Sequence, residues 1–290
     1  MIRILFIGDI IAKYGRVLVR NVLPAIKEKY QIDLVIGNGE NAAHGNGLTT
    51  KTYKDLIEAG VDVITSGNHI FDKREFLQDI DKCEKAIRPA NYPPEVPGKG
   101  YTVAETPQGV LVGVLCLMGR VFMPTLDNPF TVGRALVEKI RRETPVIFVD
   151  IHAEATSEKV AMGWYLDGKV SAVVGTHTHV QTAYERILPN GTAYLSDAGM
   201  TGPLDSVIGV QIEPIVKRYL HGVNYRFEAV TEGPGVFSAC VIGIDEESGR
   251  AHEIRRIYEI TNPMQVEKEG EKKAVAAGNP ANSREARSDS

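Results

Sequence analysis

Residues 171–179 have the sequence SAVVGTHTH, an apolar run that ends in two histidines two positions apart. The run predicts a buried strand, and in an extended segment the side chains at positions i and i+2 point the same way. We therefore expect His177 and His179 to reach one site beyond the end of this strand. Neutral imidazole is the commonest metal ligand among side chains, but an isolated His-x-His pair also occurs by chance. The rest of the chain decides between these two interpretations.

Four other short apolar runs are followed directly by residues of the types that ligate metals. These residues are Asp9, Glu40, Asn41, Asn68, His69 and His152. Each of them comes at or just after the end of a predicted strand. In open α/β sheets, ligand sites form outside the carboxyl ends of the strands. We therefore expect these residues, although far apart in the chain, to meet at one edge of a sheet.

The donor atoms in this set are imidazole nitrogens and carboxylate or amide oxygens, with no thiolate. Such donors suit iron, manganese or zinc and argue against a structural zinc site built from cysteines. Seven candidate ligands are too many for one tetrahedral centre: Asp9, Glu40, Asn41, Asn68, His152, His177 and His179. They fit two metal ions about 3.5–4 Å apart that share one carboxylate, an arrangement that serves phosphate ester hydrolysis.

Strands and amphipathic helices alternate over the first 200 residues, which predicts an α/β fold with a largely parallel centre. A helix is expected over 16–29, with a break or kink at Pro24. Another is expected over 157–166, capped by Ser157. Strands over 236–244 and 252–260 predict an antiparallel addition, so the result is a mixed sheet or a two-sheet sandwich.

We expect a single domain over residues 1–262. The irregular stretches 119–129 and 202–235 are candidates for a small cap over the site. Residues 263–290 contain no aromatic residue and are rich in Glu, Lys, Ala, Gly, Asn and Ser. This composition is typical of a disordered tail.

Charge and cysteine content exclude several classes of partner. The formal net charge of -4 and the pI near 6.0 indicate no extended nucleic-acid surface. A small phosphate ligand stays compatible, because bound metal ions supply local positive charge. The three cysteines form no Cys-x-x-Cys motif and predict reduced thiols in a cytoplasmic protein. No run approaches the roughly 18 apolar residues of a membrane span, so we expect no membrane partner.

The motifs resemble, in order, those of the calcineurin-like metallophosphoesterase superfamily. They are Asp9, Glu40-Asn41, Gly67-Asn68-His69, His152 and Gly175-Thr176-His177-Thr178-His179. Within it, the sequence is most similar to the YmdB-type branch of bacterial phosphodiesterases. The shared stretches are FIGDI (6–10), NGENAA (38–43), SGNH (66–69), RPANYP (88–93) and SDAGMTGP (196–203).

Two positions depart from the wider superfamily and agree with this branch. The superfamily has Asp-x-His in its first motif, whereas here Asp9 is followed by Ile10 and Ile11. Its bridging residue is an aspartate, whereas here that position holds Glu40. The amide of Asn41 would complete the first metal in place of the missing histidine.

The resemblance implies a sandwich of mixed β-sheets flanked by helices, with two divalent or mixed-valence metal ions. Iron is the metal that the branch implies first, with manganese or zinc as alternatives. Asp9, Glu40, Asn41 and His179 would hold the first ion. Glu40, Asn68, His152 and His177 would hold the second. His69 would be the general acid, although a role in orienting other groups stays open.

The function implied by the resemblance is hydrolysis of a phosphodiester, especially a 2′,3′-cyclic nucleotide. A metal-bound hydroxide would attack phosphorus in line, and His69 would protonate the departing ribose oxygen. Two alternatives stay open: a phosphomonoesterase such as a nucleotidase, and a regulator that binds a nucleotide or RNA without turnover. Substrate contacts are not assigned. Lys13, His44 and Arg120 are either such contacts or ordinary solvated groups, and a homo-oligomer is not excluded.

Overall fold

The two faces of strand β1 (Ile2–Ile7) are both buried, but against different layers. Ile4 and Phe6 pack into a core between two sheets, and the Phe6 ring lies 4.8 Å from that of Phe148 on the opposite sheet. Leu5 and Ile7 face a second core that is covered by helices. Strands buried on both faces give the continuous apolar runs seen in the sequence. The structure, a computed structural model, describes residues 1–261.

Within residues 1–261, the first sheet consists of β1, β2 (Asp9–Ile10), β3 (Leu34–Asn38), β4 (Val63–Thr65), β11 (Met200–Pro203), β12 (Gly235–Ile244) and β13 (Ala251–Thr261). Their order is β2-β11-β12-β1-β3-β4, and β13 pairs with β12. Strands β1, β3 and β4 run parallel, whereas β12 runs antiparallel to both β1 and β13. The antiparallel pair expected near the end of the chain is therefore confirmed.

The second sheet has six strands in the order β5-β6-β7-β8-β10-β9. They are β5 (Tyr101–Glu105), β6 (Leu111–Met118), β7 (Ile147–His152), β8 (Ala172–Thr176), β9 (Arg186–Ile187) and β10 (Ala193–Leu195). Its centre is parallel and its two edges are antiparallel. The two sheets make a sandwich rather than one open sheet.

Helices cover the outer face of each sheet. They are α1 (Ala12–Tyr30), α2 (Thr50–Glu58), α3 (Arg74–Asp79), α4 (Pro129–Ile140) and α5 (Thr156–Leu166). Helix α6 (Ile212–His221) belongs instead to the segment between β11 and β12. Helices α1, α2 and α3 pack on the first sheet through residues such as Val19, Leu56 and Phe76. Helices α4 and α5 pack on the second through Val137 and Met162.

Several local expectations differ from the structure. Helix α1 runs through Pro24 without a break. Pro24 is on the exposed side of the helix, where water can bond the carbonyl that its missing N–H leaves free, while Leu23 and Ile26 hold the inner side. Ser157 does not cap α5, because the helix begins at Thr156, with Ala155 as an N-cap that makes no side-chain bond.

Other expectations concern thiols, membranes and the end of the chain. All three cysteines are free and buried. Among the described residues no helix combines the length and apolar character needed to cross a membrane. The tail expected over 263–290 lies outside the described residues.

Candidate metal centre

Three donor atoms from Glu40, His152 and His177 lie within 4.8 Å of one another at the carboxyl edge of the sandwich. His152 Nε2 is 3.1 Å from Glu40 Oε1 and 3.0 Å from His177 Nδ1. Asn68 Oδ1 lies 3.1 Å from His152 Nε2. Four electron-rich atoms thus converge with too few protons to satisfy them all by hydrogen bonding. This donor set is suited to a cation.

A second group of donors lies beside the first. His179 Nε2 is 3.7 Å from Asp9 Oδ1 and 3.1 Å from the Asn41 side-chain amide, which also reaches Glu40. Asp9 is fully buried, and its Oδ1 has no hydrogen-bond partner among the described residues. An orphaned buried carboxylate oxygen is costly unless a cation balances it. The residues present therefore fit a second metal, with Glu40 between the two groups.

The two sheets supply different donors. Asp9 lies in β2, and Glu40, Asn41 and Asn68 follow β3 and β4; these residues of the first sheet carry every oxygen donor among the seven predicted ligands. The three imidazoles of His152, His177 and His179 come from the ends of β7 and β8 in the second sheet. The centre therefore lies across the seam of the sandwich. All seven residues predicted as ligands are brought together there.

The His-x-His segment reaches the centre in a way that the extended-strand argument did not predict. Strand β8 ends at Thr176, and both His177 and His179 have left-handed backbone, with φ of 95° and 64°. Because of these turns the two imidazoles lie in different groups of donors. His177 lies beside His152, and His179 lies beside Asp9. Such backbone costs about 1–3 kcal/mol per residue and needs support from its surroundings.

A buried ion pair supplies that support. Lys159 Nζ on α5 lies 2.7 Å from Asp197 Oδ2, and both side chains are almost completely buried. The same Asp197 oxygen accepts hydrogen bonds from the backbone N–H and the hydroxyl of Thr178, between the two histidines. Lys159 also donates to the Thr178 hydroxyl. Asp197 therefore anchors the loop and does not contact an imidazole.

Asp150, by contrast, orients a histidine through one intermediate. It accepts hydrogen bonds from Thr65, Asn38 and Thr176. Since the Thr176 hydroxyl donates to Asp150, its oxygen is free to accept from His152 Nδ1, 2.9 Å away. This series of hydrogen bonds holds the His152 imidazole so that its Nε2 faces the donors at the centre, as ligating histidines require.

The pKa values of the buried groups are shifted by burial and by the charges that these groups place on one another. Burial alone would raise the pKa of Glu40, but the facing His152 lowers it to about 2. Burial opposes a charge on His152, yet Glu40 and then Asp9 raise its pKa to about 9. Burial, followed by the neighbouring His152, lowers the pKa of His177 to about 3. Burial raises the pKa of Asp9 against the opposing charge of His179. Glu40 therefore favours positive charge beside it, whereas His177 is held in the neutral form in which an imidazole can bind a metal ion.

Gly67 makes the close packing at the centre possible. A Cβ at this position would lie 2.2 Å from His152 Cδ2 and 2.3 Å from Glu40 Oε2. Only glycine therefore allows the backbone to pass these side chains. The glycine of the Gly-Asn-His motif is thus required by the space at the centre.

His69 lies next to the centre but is held by a different partner. Its backbone N–H donates to Glu40 Oε2 at 3.2 Å, and its Nδ1 is 2.8 Å from Asp72 Oδ2. The side chain is partly exposed and lines the cavity in front of the donors. When Nδ1 carries the proton shared with Asp72, Nε2 is the nitrogen available to a substrate.

A cavity of about 720 Å³ lies in front of the donors. Its other wall comes from the segment 207–229, including Ile208, Tyr219 and Phe227. The carbonyl of Ile208 lies 3.1 Å from His179 Nδ1. None of the lining residues belongs to 119–129, the other stretch expected to cap the site.

Sequence reasoning missed two acids at the site. Glu154 Oε2 lies 3.1 Å from His177 Nε2, and Asp72 holds His69. Each is two or three positions after a predicted site histidine, a spacing that could have drawn attention to it. Exposed acids at such spacing are common, however, so nothing in the sequence singled them out.

A two-sheet sandwich with nitrogen and oxygen donors at the seam of its parallel strands defines a metallophosphoesterase-type fold, as predicted. The chain belongs to the YmdB-like protein family, whose sequence profile matches residues 5–257. It is 51% identical over 255 residues to the 2′,3′-cyclic-nucleotide 2′-phosphodiesterase of Bacillus subtilis (strain 168), covering 88% of this chain and 96% of the relative.

Solved structures agree with this assignment. A hypothetical protein from Thermus thermophilus superposes with a TM-score of 0.83 at 43% identity, covering 89% of this chain and 99% of that one. A phosphatase from Mycoplasma pneumoniae superposes with a TM-score of 0.82 at 34% identity, covering 92% and 96%. The chain is therefore a hydrolase that acts on phosphoric esters, and the predicted family and enzyme class are confirmed.

Proposed function

We propose that this chain is a dinuclear metal-dependent phosphodiesterase that hydrolyses 2′,3′-cyclic nucleotides. The observation that carries the proposal is the convergence of Glu40, His152 and His177 beside the orphaned Asp9 carboxylate oxygen. The name of the Bacillus subtilis relative supports the choice of substrate.

The distances support the division of ligands expected from the resemblance. Asp9, Glu40, Asn41 and His179 would hold one ion, and Glu40, Asn68, His152 and His177 the other. The Asn41 amide can present its oxygen instead of its nitrogen after a half-turn. Metal ions held there would acidify water and neutralise charge on the phosphate. Iron is the metal we expect first, with manganese or zinc as alternatives that the same donors accept.

His69 has the geometry of a general acid. In hydrolysis of a 2′,3′-cyclic phosphate, a water oxygen bonds to phosphorus, the P–O2′ bond breaks, and O2′ takes a proton, which leaves a 3′-phosphate monoester. Asp72 accepts from Nδ1–H of His69, so in the imidazolium form the Nε2–H faces the cavity and can donate its proton to O2′, which leaves a neutral imidazole.

We further propose that residues 1–262 form one domain, in which 207–229 serves as the cap because it lines the cavity. A cytoplasmic location stays a prediction supported by three free thiols. A homo-oligomer also stays a prediction.

The decisive experiment compares metal content and hydrolysis of 2′,3′-cyclic AMP in the wild type and in Glu40→Gln. Protein is purified without added metal and then reconstituted. We expect about two metal ions per chain and turnover in the wild type, and loss of both in the variant. Glu95→Gln, at an exposed position outside the cavity, is the matched control. A wild type that stays metal-free after reconstitution would contradict the proposal.

A monoesterase is the second candidate, because the similar structure from Mycoplasma pneumoniae is described as a phosphatase. The two activities separate in a comparison of bis-p-nitrophenyl phosphate with p-nitrophenyl phosphate. Preference for the diester supports the phosphodiesterase, and preference for the monoester supports the phosphatase.

A further inference from the structure

A second cavity of about 890 Å³ adjoins the one in front of the metal centre. The two share His44, Phe227 and Ala229 as lining residues. The second cavity is formed by residues 12–20 of α1, by residues 49–55 at the start of α2, by Glu75 of α3 and by residues 226–231. None of the seven proposed ligands lines it. It therefore extends the space available to a substrate beyond the reacting phosphate.

The walls of this second cavity carry more cations than anions. Two arginines are already paired, Arg16 with Asp55 at 3.1 Å and Arg226 with Glu228 at 3.3 Å. The remaining cations, Lys13, Arg20 and Lys51, form no ion pair with any residue of 1–261. Glu75 also lines the cavity and forms no ion pair within residues 1–261, so the unpaired charge is three cations against one carboxylate, although the chain as a whole is acidic.

The positions of two of these cations are unfavourable for the fold. Lys13 lies in the first turn of α1 and Lys51 in the first turn of α2, and neither turn contains an acidic residue. The N-terminus of a helix is its positive end, so a cation there lowers helix stability and an anion raises it. An anion bound near Lys13 or Lys51 would offset this unfavourable placement.

Aromatic side chains lie between this cavity and the metal centre. Phe227 lines both cavities, and Tyr219 lines the one in front of the metals while its side chain is 84% exposed. The Arg218 guanidinium lies 5.2 Å from the centre of the Phe227 ring. Exposed rings beside a phosphate-binding cavity are suited to stacking against a nucleobase.

We propose that the second cavity binds a second phosphate of the substrate, on the 5′ side of the nucleotide whose cyclic phosphate is hydrolysed. In a nucleotide the 5′-phosphate is attached to the other end of the ribose from the 2′,3′-cyclic phosphate, so the two groups can occupy adjoining cavities. The favoured substrates are therefore 5′-phosphorylated nucleotides and short oligoribonucleotides with a 2′,3′-cyclic end. This inference rests on the proposed function and narrows its substrate class.

The test compares kcat/KM for adenosine 2′,3′-cyclic phosphate with that for the same compound bearing a 5′-phosphate. We expect the 5′-phosphate to raise kcat/KM about tenfold, equivalent to about 1.4 kcal/mol, mainly through KM. The ratio should fall as salt rises, because exposed charges are screened. In the variant Lys13→Ala/Arg20→Ala/Lys51→Ala the ratio should fall close to one.

The matched control removes the same numbers of lysines and arginines elsewhere. Lys85→Ala/Lys99→Ala/Arg142→Ala changes three exposed cations that line neither cavity, and it should keep the wild-type ratio. A wild-type ratio near one, or an unchanged ratio in the first variant, overturns the inference while the proposed function stands. Failure of the wild type to hydrolyse either compound would instead overturn the proposed function, and the inference with it.

Discussion

Replacing Gly67 with alanine tests whether the donors converge as described. The added Cβ would lie 2.2 Å from His152 and 2.3 Å from Glu40, and ordinary contact begins near 3.4 Å. Both buried groups must therefore move by about 1.1–1.2 Å, or the backbone at residue 67 must shift, before ordinary contact is restored. Metal–ligand distances in well-formed sites lie within about 0.2 Å of their usual values. We expect Gly67→Ala to lose most of its bound metal, and its phosphodiesterase activity with it.

The fold should survive this substitution. Overpacking of this kind costs about 1–3 kcal/mol, which lowers Tm by several degrees without unfolding the chain. Metal content is measured by elemental analysis, hydrolysis with 2′,3′-cyclic AMP, and stability by thermal unfolding followed by circular dichroism. Loss of metal together with a cooperative transition would separate damage at the centre from general unfolding.

Gly222→Ala is the control for a substitution that only strains the backbone. Gly222 has φ of 69° at the end of α6, and nothing lies within 4 Å of an added Cβ. The cost is about 1 kcal/mol, from the left-handed backbone alone. This variant should keep full metal content. If Gly67→Ala binds as much metal as Gly222→Ala, the close approach of Glu40 and His152 to residue 67 is wrong.

Three further predictions concern other parts of the molecule. His69→Ala should lower turnover about 10²–10⁴-fold with metal content unchanged, and Asp72→Asn should cause a smaller loss; normal turnover in His69→Ala would remove the acid assignment. Lys159→Met leaves the Asp197 carboxylate buried without its partner, so unfolding in denaturant should show a loss of about 3–5 kcal/mol. The double variant Lys159→Met/Asp197→Asn should recover at least part of it, and no recovery would refute the pairing. Burial raises the pKa of all three cysteine thiols, so a thiol reagent at neutral pH should label them only as the chain unfolds, and rapid labelling of the native protein would contradict their burial.

The sequence predicted the donor set because its pattern is local. A short apolar run followed by a ligand residue marks the carboxyl end of a strand, and such ends collect at one edge whichever strands are neighbours. Asp9, Glu40 and His152 could be found in this way. The division of donors between two sheets could not, because pairing between strands distant in sequence is not encoded in any single run.

The sequence pattern also did not predict the backbone conformation at the two histidines of the His-x-His segment. An extended strand would direct His177 and His179 to one side, whereas their left-handed backbone directs them to different groups of donors. That conformation depends on Lys159 and Asp197, which are remote in sequence from each other and from the two histidines. Glu154 and Asp72 were missed for a related reason, since exposed acids acquire meaning only from the histidines they face.

The separation of donors between the sheets has a consequence for assembly. The first sheet brings the oxygen donors and the second brings the imidazoles, so neither sheet can form a complete metal site by itself. Metal affinity then depends on correct docking of the two halves. By thermodynamic linkage, a ligand that binds only the docked state stabilises it, by about 2.7 kcal/mol at a concentration one hundred times its dissociation constant. Metal ions bound there would therefore hold the two sheets together, and a chelator should lower the free energy of unfolding of the whole sandwich.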